Sequence, residues 1–426
     1  MKTGAYLLGT LWVYICLCAF AMAEGDKTIT ITTGDQGAPK IQVISGDDSD
    51  YTIKIYKMLA QDLKIVGHFD VGFDDKIKRK VLGRGGDLNE YRDRGLNLIA
   101  QVTHKREGRK LVGVLTLKDL GNEYEESREY SQDDERAYPF IAHDMSIFIS
   151  KYVGAPAPDW INRRVIFSKQ VDSSRSEITM ADYSFTYQKT LISEGLNVFP
   201  KWADKDQREF YYTHISNKAT IYKYSIDGGN SEFVLSSQGM AVVSDVSSDY
   251  SKLLTSLSPS GLSDIYLYDV DTKNTTQLTT YSGIDVNANF INGDSAFVFV
   301  SDRLGYPNIF MKGLSPNANV VQLVFRGRNN SNLASHGQYV VFSSRESATE
   351  SGVSSYNLYL LSSKSDYIRK LSDKGTNRLP RFSHDGDSIM YLKQAGSEYA
   401  MGLIRLSSNK SFLFPLKNTK IQSFDW

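Results

Sequence analysis

The sequence predicts an α+β domain followed by an all-β six-bladed β-propeller closed by the C-terminal strand. Three observations carry that prediction. An aromatic-bearing extended run recurs at 221–224, 265–268, 309–311 and 358–360, so its starts are 44, 44 and 49 residues apart. A period of about 40–50 residues with several short strands per repeat marks a propeller. The stretch before the repeats mixes helical and extended periodicity, and Gly154-Ala155-Pro156-Ala157-Pro158-Asp159 stands between the two as a proline-stiffened linker.

Residues 1–23 read as a secretory signal peptide. Lys2 supplies the positive start, 6–22 the apolar stretch and Ala21-Met22-Ala23 a cleavage site, with Glu24-Gly25-Asp26 following at once. An uncleaved anchor is the rival reading. Cys16 and Cys18 are the chain's two cysteines and both lie inside this segment, so the exported chain has no disulfide or thiolate site. The 49 basic and 49 acidic residues cancel, so no nucleic-acid footprint is expected.

The α+β domain is assigned to 24–155, with an N-terminal segment at 24–38. Residues 28–32 and 40–45 are β-branched and extended, joined by a loop at 34–39. A helix starts at Asp50, with Ile55, Leu59 and Leu63 on one face. Strands at 97–105 and 110–118 flank a hairpin turn at Glu107-Gly108. A second helix covers 136–153, with Pro139 in its first turn, Ile141, Met145 and Phe148 on its apolar face and Gly154 at its end.

The linker is assigned to 156–161 and the propeller to 162–426. The third unit reads as strands at 240–246, 251–257, 264–270 and 275–278. The fourth repeats them at 284–291, 295–301, 308–312 and 320–324, with the hairpin turn Asn292-Gly293-Asp294 between its first two strands. The first unit begins with Val165-Ile166-Phe167 and lacks an innermost strand. The chain end at 421–426 resembles 198–202, the innermost strand of the second unit, and is expected to complete the first blade.

Catalytic motifs are scarce. The sequence has no G-x-S-x-G, no H-E-x-x-H and no phosphate-loop spacing, so no cofactor or metal is expected. His143 reads as a hydrogen-bonded core histidine, and Trp202 and Trp426 as packing residues. A propeller enzyme would need paired carboxylates on inner strands, for which Asp245, Asp285 and Asp425 are the candidates. A propeller binding peptidoglycan or another glycan is the other alternative. Asp302-Arg303-Leu304-Gly305-Tyr306-Pro307 links two strands on the rim where inner strands begin, and reads equally as an ordinary structured turn or as one whose Arg and Tyr are binding anchors.

Several stretches together resemble one known family. Thr28 to Pro39, the helix exit Asp62-Leu63-Lys64-Ile65-Val66-Gly67-His68-Phe69, Ala142-His143-Asp144 and Ser301-Asp302-Arg303-x-Gly305-x-Pro307-x-Ile309-Phe310 are similar to the TolB family of the Tol-Pal cell-envelope system, of which the chain looks like a diverged member. The family's S-P-D-G turn is present only degenerately, as in Ser383-His384-Asp385-Gly386. The resemblance implies a monomeric, non-enzymatic periplasmic adaptor. It would bind the peptidoglycan-associated lipoprotein Pal at the propeller mouth and TolA through its mature N-terminus. It would thereby associate indirectly with peptidoglycan and the outer membrane, supporting membrane integrity and constriction at division. The mouth residues expected to contact Pal are Asn197, Phe199, Asp285, Asn287, Asp302, Arg303, Arg328, Asn329, Asn377 and Arg378. Those expected to contact TolA are Glu24, Thr28, Ile29, Ile31, Gly34, Asp35 and Gly37.

Overall fold

The structure, a computed structural model, describes residues 37–73, 89–122, 124–346, 355–417 and 419–426. The strand expected at 28–32 and the cleavage site at 21–23 lie outside them. The i, i+4 spacing of apolar residues produces α1 (Asp50–Val66), whose Ile55, Leu59 and Leu63 are all fully buried. Gly67 ends it in the left-handed region at φ 82° and donates its N–H to the Leu63 carbonyl.

Around α1 the chain lays down β1 (Lys40–Ser45), β2 (Asp70–Phe73), a short α2 (Asn89–Asp93), β3 (Leu98–Glu107), β4 (Lys110–Asp119) and β5 (Glu125–Gln132), then α3 (Tyr138–Tyr152). The sheet order is β2-β1-β3-β4-β5, parallel between β1 and its two neighbours and antiparallel beyond. Both long helices cover this sheet. Gly113 on β4 is required there, because a Cβ would come within 2.4 Å of the Ile141 side chain. Sequence reading missed β2, α2 and β5. The β5 sequence Glu-Glu-Ser-Arg-Glu-Tyr-Ser-Gln has no apolar alternation, because an edge strand can be protected by charge instead. Helix α3 begins after a 3-10 turn at Glu135–Ala137, and buries Ile141, Met145 and Ile149. Phe148 is only partly buried, under the guanidinium of Arg128.

From Val165 the strands form, among the described residues, sheets of eight, four, four and eight strands; in each eight-stranded sheet one parallel bridge, Ser176 to Leu196 or Tyr356 to Thr376, joins two antiparallel groups of four. The inner strands of the second to sixth groups are Leu196–Trp202, Ala241–Val246, Asp285–Ile291, Arg328–His336 and Thr376–Phe382. The last strand, Lys420–Asp425, pairs antiparallel with Val165–Gln170 and so takes the inner position of the first group. Lys420–Asp425 adjoins Leu196–Trp202, and each inner strand adjoins the next round to Thr376–Phe382, which again meets Lys420–Asp425. No single hydrogen-bonded sheet runs round this circuit; the sheets are separate. The architecture is that of a β-propeller.

All inner strands run in the same sense, giving the propeller an entry rim where they begin and an exit rim where they end. The α+β domain sits against the exit rim. There Ile65 and Val66 of α1 share one core with Trp160, Ile161, Tyr183 and Phe185, and Trp160 meets Trp426 edge-on at 5.7 Å. The entry rim faces away from that domain.

Candidate partner-binding mouth

Every inner strand carries a β-bulge part-way along its length. In four of them the bulge holds a non-glycine residue in the left-handed region: Phe199 at φ 54°, Asn287 at 54°, Asn332 at 48° and Leu379 at 53°. Asparagine tolerates this conformation better than most residues, and here Asn287 accepts the Leu333 N–H from the neighbouring inner strand at 2.9 Å. Phe199 and Leu379 lack that compensation, and each precedes a proline, which disfavours helical backbone in the residue before it. Bulky side chains at positive φ are true outliers, and such strain collects where it aims a side chain at a function. Here all four residues line one cavity of about 200 Å³ at the entry end of the axial channel, together with Met240, Val242 and Val286. Phe199 and Met240 remain 41% and 39% exposed, so the mouth presents apolar surface to solvent.

Deeper in the channel the lining becomes ionic. Lys201 Nζ lies 2.9 Å from Asp245 and 3.1 Å from Asp425, and Arg381 Nε lies 3.5 Å from Asp425. Burial would lower the Lys201 pKa, but the Asp245 and Asp425 charges outweigh it and hold it above its ordinary value. Each carboxylate also accepts a backbone N–H from the following group: Trp202 to Asp425 at 3.0 Å, and Phe290 to Asp245 at 2.9 Å. This cluster separates the apolar mouth from a larger polar opening on the exit side, lined by residues such as Asp204, Tyr250, Asp294 and His384.

The residues anticipated from the sequence separate into two sets. Phe199, Asn287, Asn329 and Arg378 sit at the entry rim with side chains at least partly accessible, and the Arg378 guanidinium lies over the Tyr356 ring at 4.6 Å. Asn197 and Asn377 are buried instead. Asn197 donates to the carbonyls of Ser176 and Glu194, and Asn377 to those of Tyr356 and Lys374, so both tie neighbouring groups together beneath the rim. Arg303, anticipated as an exposed anchor, turns inward. It forks onto the fully buried Asp285 at 3.0 and 3.1 Å, donates to Ser301 Oγ at 2.8 Å and stacks among the Tyr281, Phe299 and Phe310 rings. Asp302 accepts the Ile284 N–H at 2.8 Å and shapes the start of its inner strand. Arg328 begins the fifth inner strand. Gly37 is exposed, whereas Glu24, Thr28, Ile29, Ile31, Gly34 and Asp35 lie outside the described residues.

Sequence reading missed Met240, Asn332 and Leu379 in the mouth, and the exposed Leu262, Ile284 and Phe325 in the links on the same rim. One local signal was available: Phe199-Pro200 and Leu379-Pro380 occupy the same place in two units. The three carboxylates considered for catalysis are all ion-paired, Asp245 and Asp425 to Lys201 and Asp285 to Arg303.

Comparison with known proteins agrees with this architecture. Residues 159–426 match the family model described as the TolB beta propeller domain. The chain is 43% identical over 420 residues to the Tol-Pal system protein TolB of Wolinella succinogenes, covering 97% of this chain and 99% of that one. To the protein of the same name from Campylobacter jejuni it is 41% identical over 424 residues, covering 98% and 97%. Its fold is similar to the crystal structure of TolB from Acinetobacter baumannii, with a TM-score of 0.74 at 20% identity over 92% of this chain and 97% of that one.

Proposed function

The chain belongs to the TolB family of Tol-Pal system proteins, and from that premise we propose that it is a monomeric, non-enzymatic periplasmic adaptor, exported after loss of residues 1–23. We read the six strand groups as six blades, with Lys420–Asp425 closing the ring as the inner strand of the first. The unbroken run of neighbouring inner strands supports this reading. The entry-rim mouth binds Pal, and the N-terminal segment 24–38 engages TolA. Through these two partners the protein supports outer-membrane integrity and constriction at division.

The observation that carries the Pal reading is the strained placement of Phe199 and Leu379 at an apolar mouth facing away from the α+β domain. Interface anchors are typically aromatic or apolar side chains set in a pocket and surrounded by a polar rim. Arg378, Asn287 and Asn329 supply such a rim.

Calorimetric titration of the chain 24–426 with the soluble domain of Pal from the same organism tests it. A one-to-one isotherm is expected, weakened about tenfold or more by Phe199→Ala, as for a central hot spot. A folded chain that gives no heat with Pal defeats the reading. Pal binding and release of segment 24–38 are linked, so deleting 24–38 removes TolA binding while Pal affinity is kept or raised. Loss of both would defeat the linkage.

A further inference from the structure

Four fully buried polar side chains meet across the seam between the two domains. Asp62 of α1 and His143 of α3 belong to the α+β domain, and Asp182 and Tyr183 to a propeller loop. Asp62 accepts from His143 Nδ1 at 2.8 Å and from the Tyr183 hydroxyl at 2.7 Å. His143 Nε2 points at Asp182 Oδ2 from 3.6 Å. Asp182 also organises its own loop, accepting the N–H groups of Ser184 at 2.9 Å and Tyr187 at 2.6 Å, while Phe185 is held at φ 61°.

We propose that Asp62, His143, Asp182 and Tyr183 form an inter-domain latch, which sets the register of the α+β domain on the propeller and releases it without unfolding either part. Each domain has apolar cores of its own, so each can outlast separation. The single connection between them passes through Gly154, at φ 70°, and two prolines. From the α+β domain the apolar seam receives Ile65, Val66, Ala137 and Phe140 as buried residues, a small contribution beside the propeller's own.

The seam is also poorly satisfied. Trp160 Nε1, Trp426 Nε1, Ser146 Oγ and Arg405 Nε are buried there without an acceptor, and each such group costs about 1–3 kcal/mol. A buried ionic cluster adds less stability than apolar packing would, and its best-attested use is to fix a register or operate a switch.

The latch carries a sign with pH. Burial pushes the His143 pKa down, but the Asp62 charge, the hydrogen bond to Asp62 and the nearby Asp182 carboxylate prevail and hold it at about 9 against an ordinary 6.5. The groups facing it are Asp62 from α1 and Asp182 and Tyr183 from the propeller loop. Asp144, beside it on α3, accepts from Asn162 Nδ2 at 2.6 Å. Because the docked state raises the pKa, its advantage is complete below 6.5 and fades as pH climbs to about 9. The ratio of released to docked molecules therefore rises about tenfold per pH unit across that window and levels off above it.

The chain from residue 24 has no cysteine, so spin labels can be placed at will. Labels on Arg109→Cys and Asn274→Cys, both exposed, report the inter-domain distance. A single narrow distance is expected at pH 6, with a second, longer one growing toward pH 9. His143→Gln and Asp182→Asn are each expected to show the longer distance already at pH 6, with hydrogen exchange still protecting both domain cores. One narrow distance in the parent up to alkaline unfolding overturns the proposal, and so does a variant that only melts earlier with its distance unchanged. Should the variants fail to fold, the pH series on the parent decides alone.

Discussion

Arg303→Ala separates two accounts of the same motif. If Arg303 is a rim anchor, its loss weakens partner binding and leaves the fold alone. The geometry says the reverse. Its guanidinium holds both oxygens of an Asp285 carboxylate with no solvent exposure, and its own side chain is only 20% exposed. Removing one partner of a buried ion pair leaves an uncompensated charge and costs about 3–5 kcal/mol. For a unit the size of the propeller, each kcal/mol lowers Tm by about 2–4 °C, so roughly 6–20 °C is expected. Differential scanning calorimetry of the chain 24–426 reads this directly. The double variant Asp285→Asn, Arg303→Met, which removes both charges and keeps the bulk, is expected to recover most of the loss. A variant Arg303→Ala that melts within about 1 °C of the parent yet binds Pal ten times more weakly would refute the clamp.

Two further substitutions probe the channel. Leu379→Gly relieves about 1–2 kcal/mol of left-handed strain against about 0.5–1 kcal/mol of added chain entropy. Leu379→Gly and Leu379→Ala both give up the packing of Leu379 against the seam core, so the glycine variant is expected to melt higher than the alanine one while both lower Pal affinity; a lower Tm for glycine would show that the bulge is not strained. Lys201→Met leaves Asp245 and Asp425 facing each other with Arg381 as their remaining cation, and is expected to cost about 3 kcal/mol in urea unfolding. Recovery in the double variant Lys201→Met, Asp245→Asn assigns that loss to the charges; equal loss in both assigns it to packing.

Much of the fold was legible because burial was one-sided. The spacing of Ile55, Leu59 and Leu63 encodes a helix with one face on a sheet, and the strands of the third and fourth groups fall within a few residues of their expected limits. Strand β5 was not legible, since a charged edge strand leaves no period to read. At the mouth, the motif around Arg303 revealed a turn but not the direction of the side chain. That direction is set by Asp285, 18 residues away on another strand. Asn197 and Asn377 lie beneath the entry rim, and buried amides and exposed ones read alike in a sequence. The latch lay furthest from view: 81 residues separate Asp62 from His143 and 121 separate it from Tyr183, and only the docking of two domains brings them together.

The two ends of the channel are built for different work, and the ionic cluster between them explains how both can exist in one ring. At the entry end, bulges displace apolar side chains into the mouth, which an unstrained inner strand would not do. Lys201, Asp245, Asp425 and Arg381 lie between the two openings, with Lys201 paired to both carboxylates and each carboxylate accepting a backbone N–H. The same carboxylates, by accepting N–H groups from the next group, also lock adjacent inner strands together. Strain at the entry rim is thus supported by charge pairing one layer below. The inter-domain latch stands on the far side of that layer, at the exit rim. The inner strands are the direct structural connection between mouth and latch, so coupling between the two ends, if present, has a route that avoids the α+β domain's surface. If that coupling operates, Lys201→Met should lower Pal affinity and lengthen the inter-domain distance together. Movement of one without the other would mean that the two ends work independently.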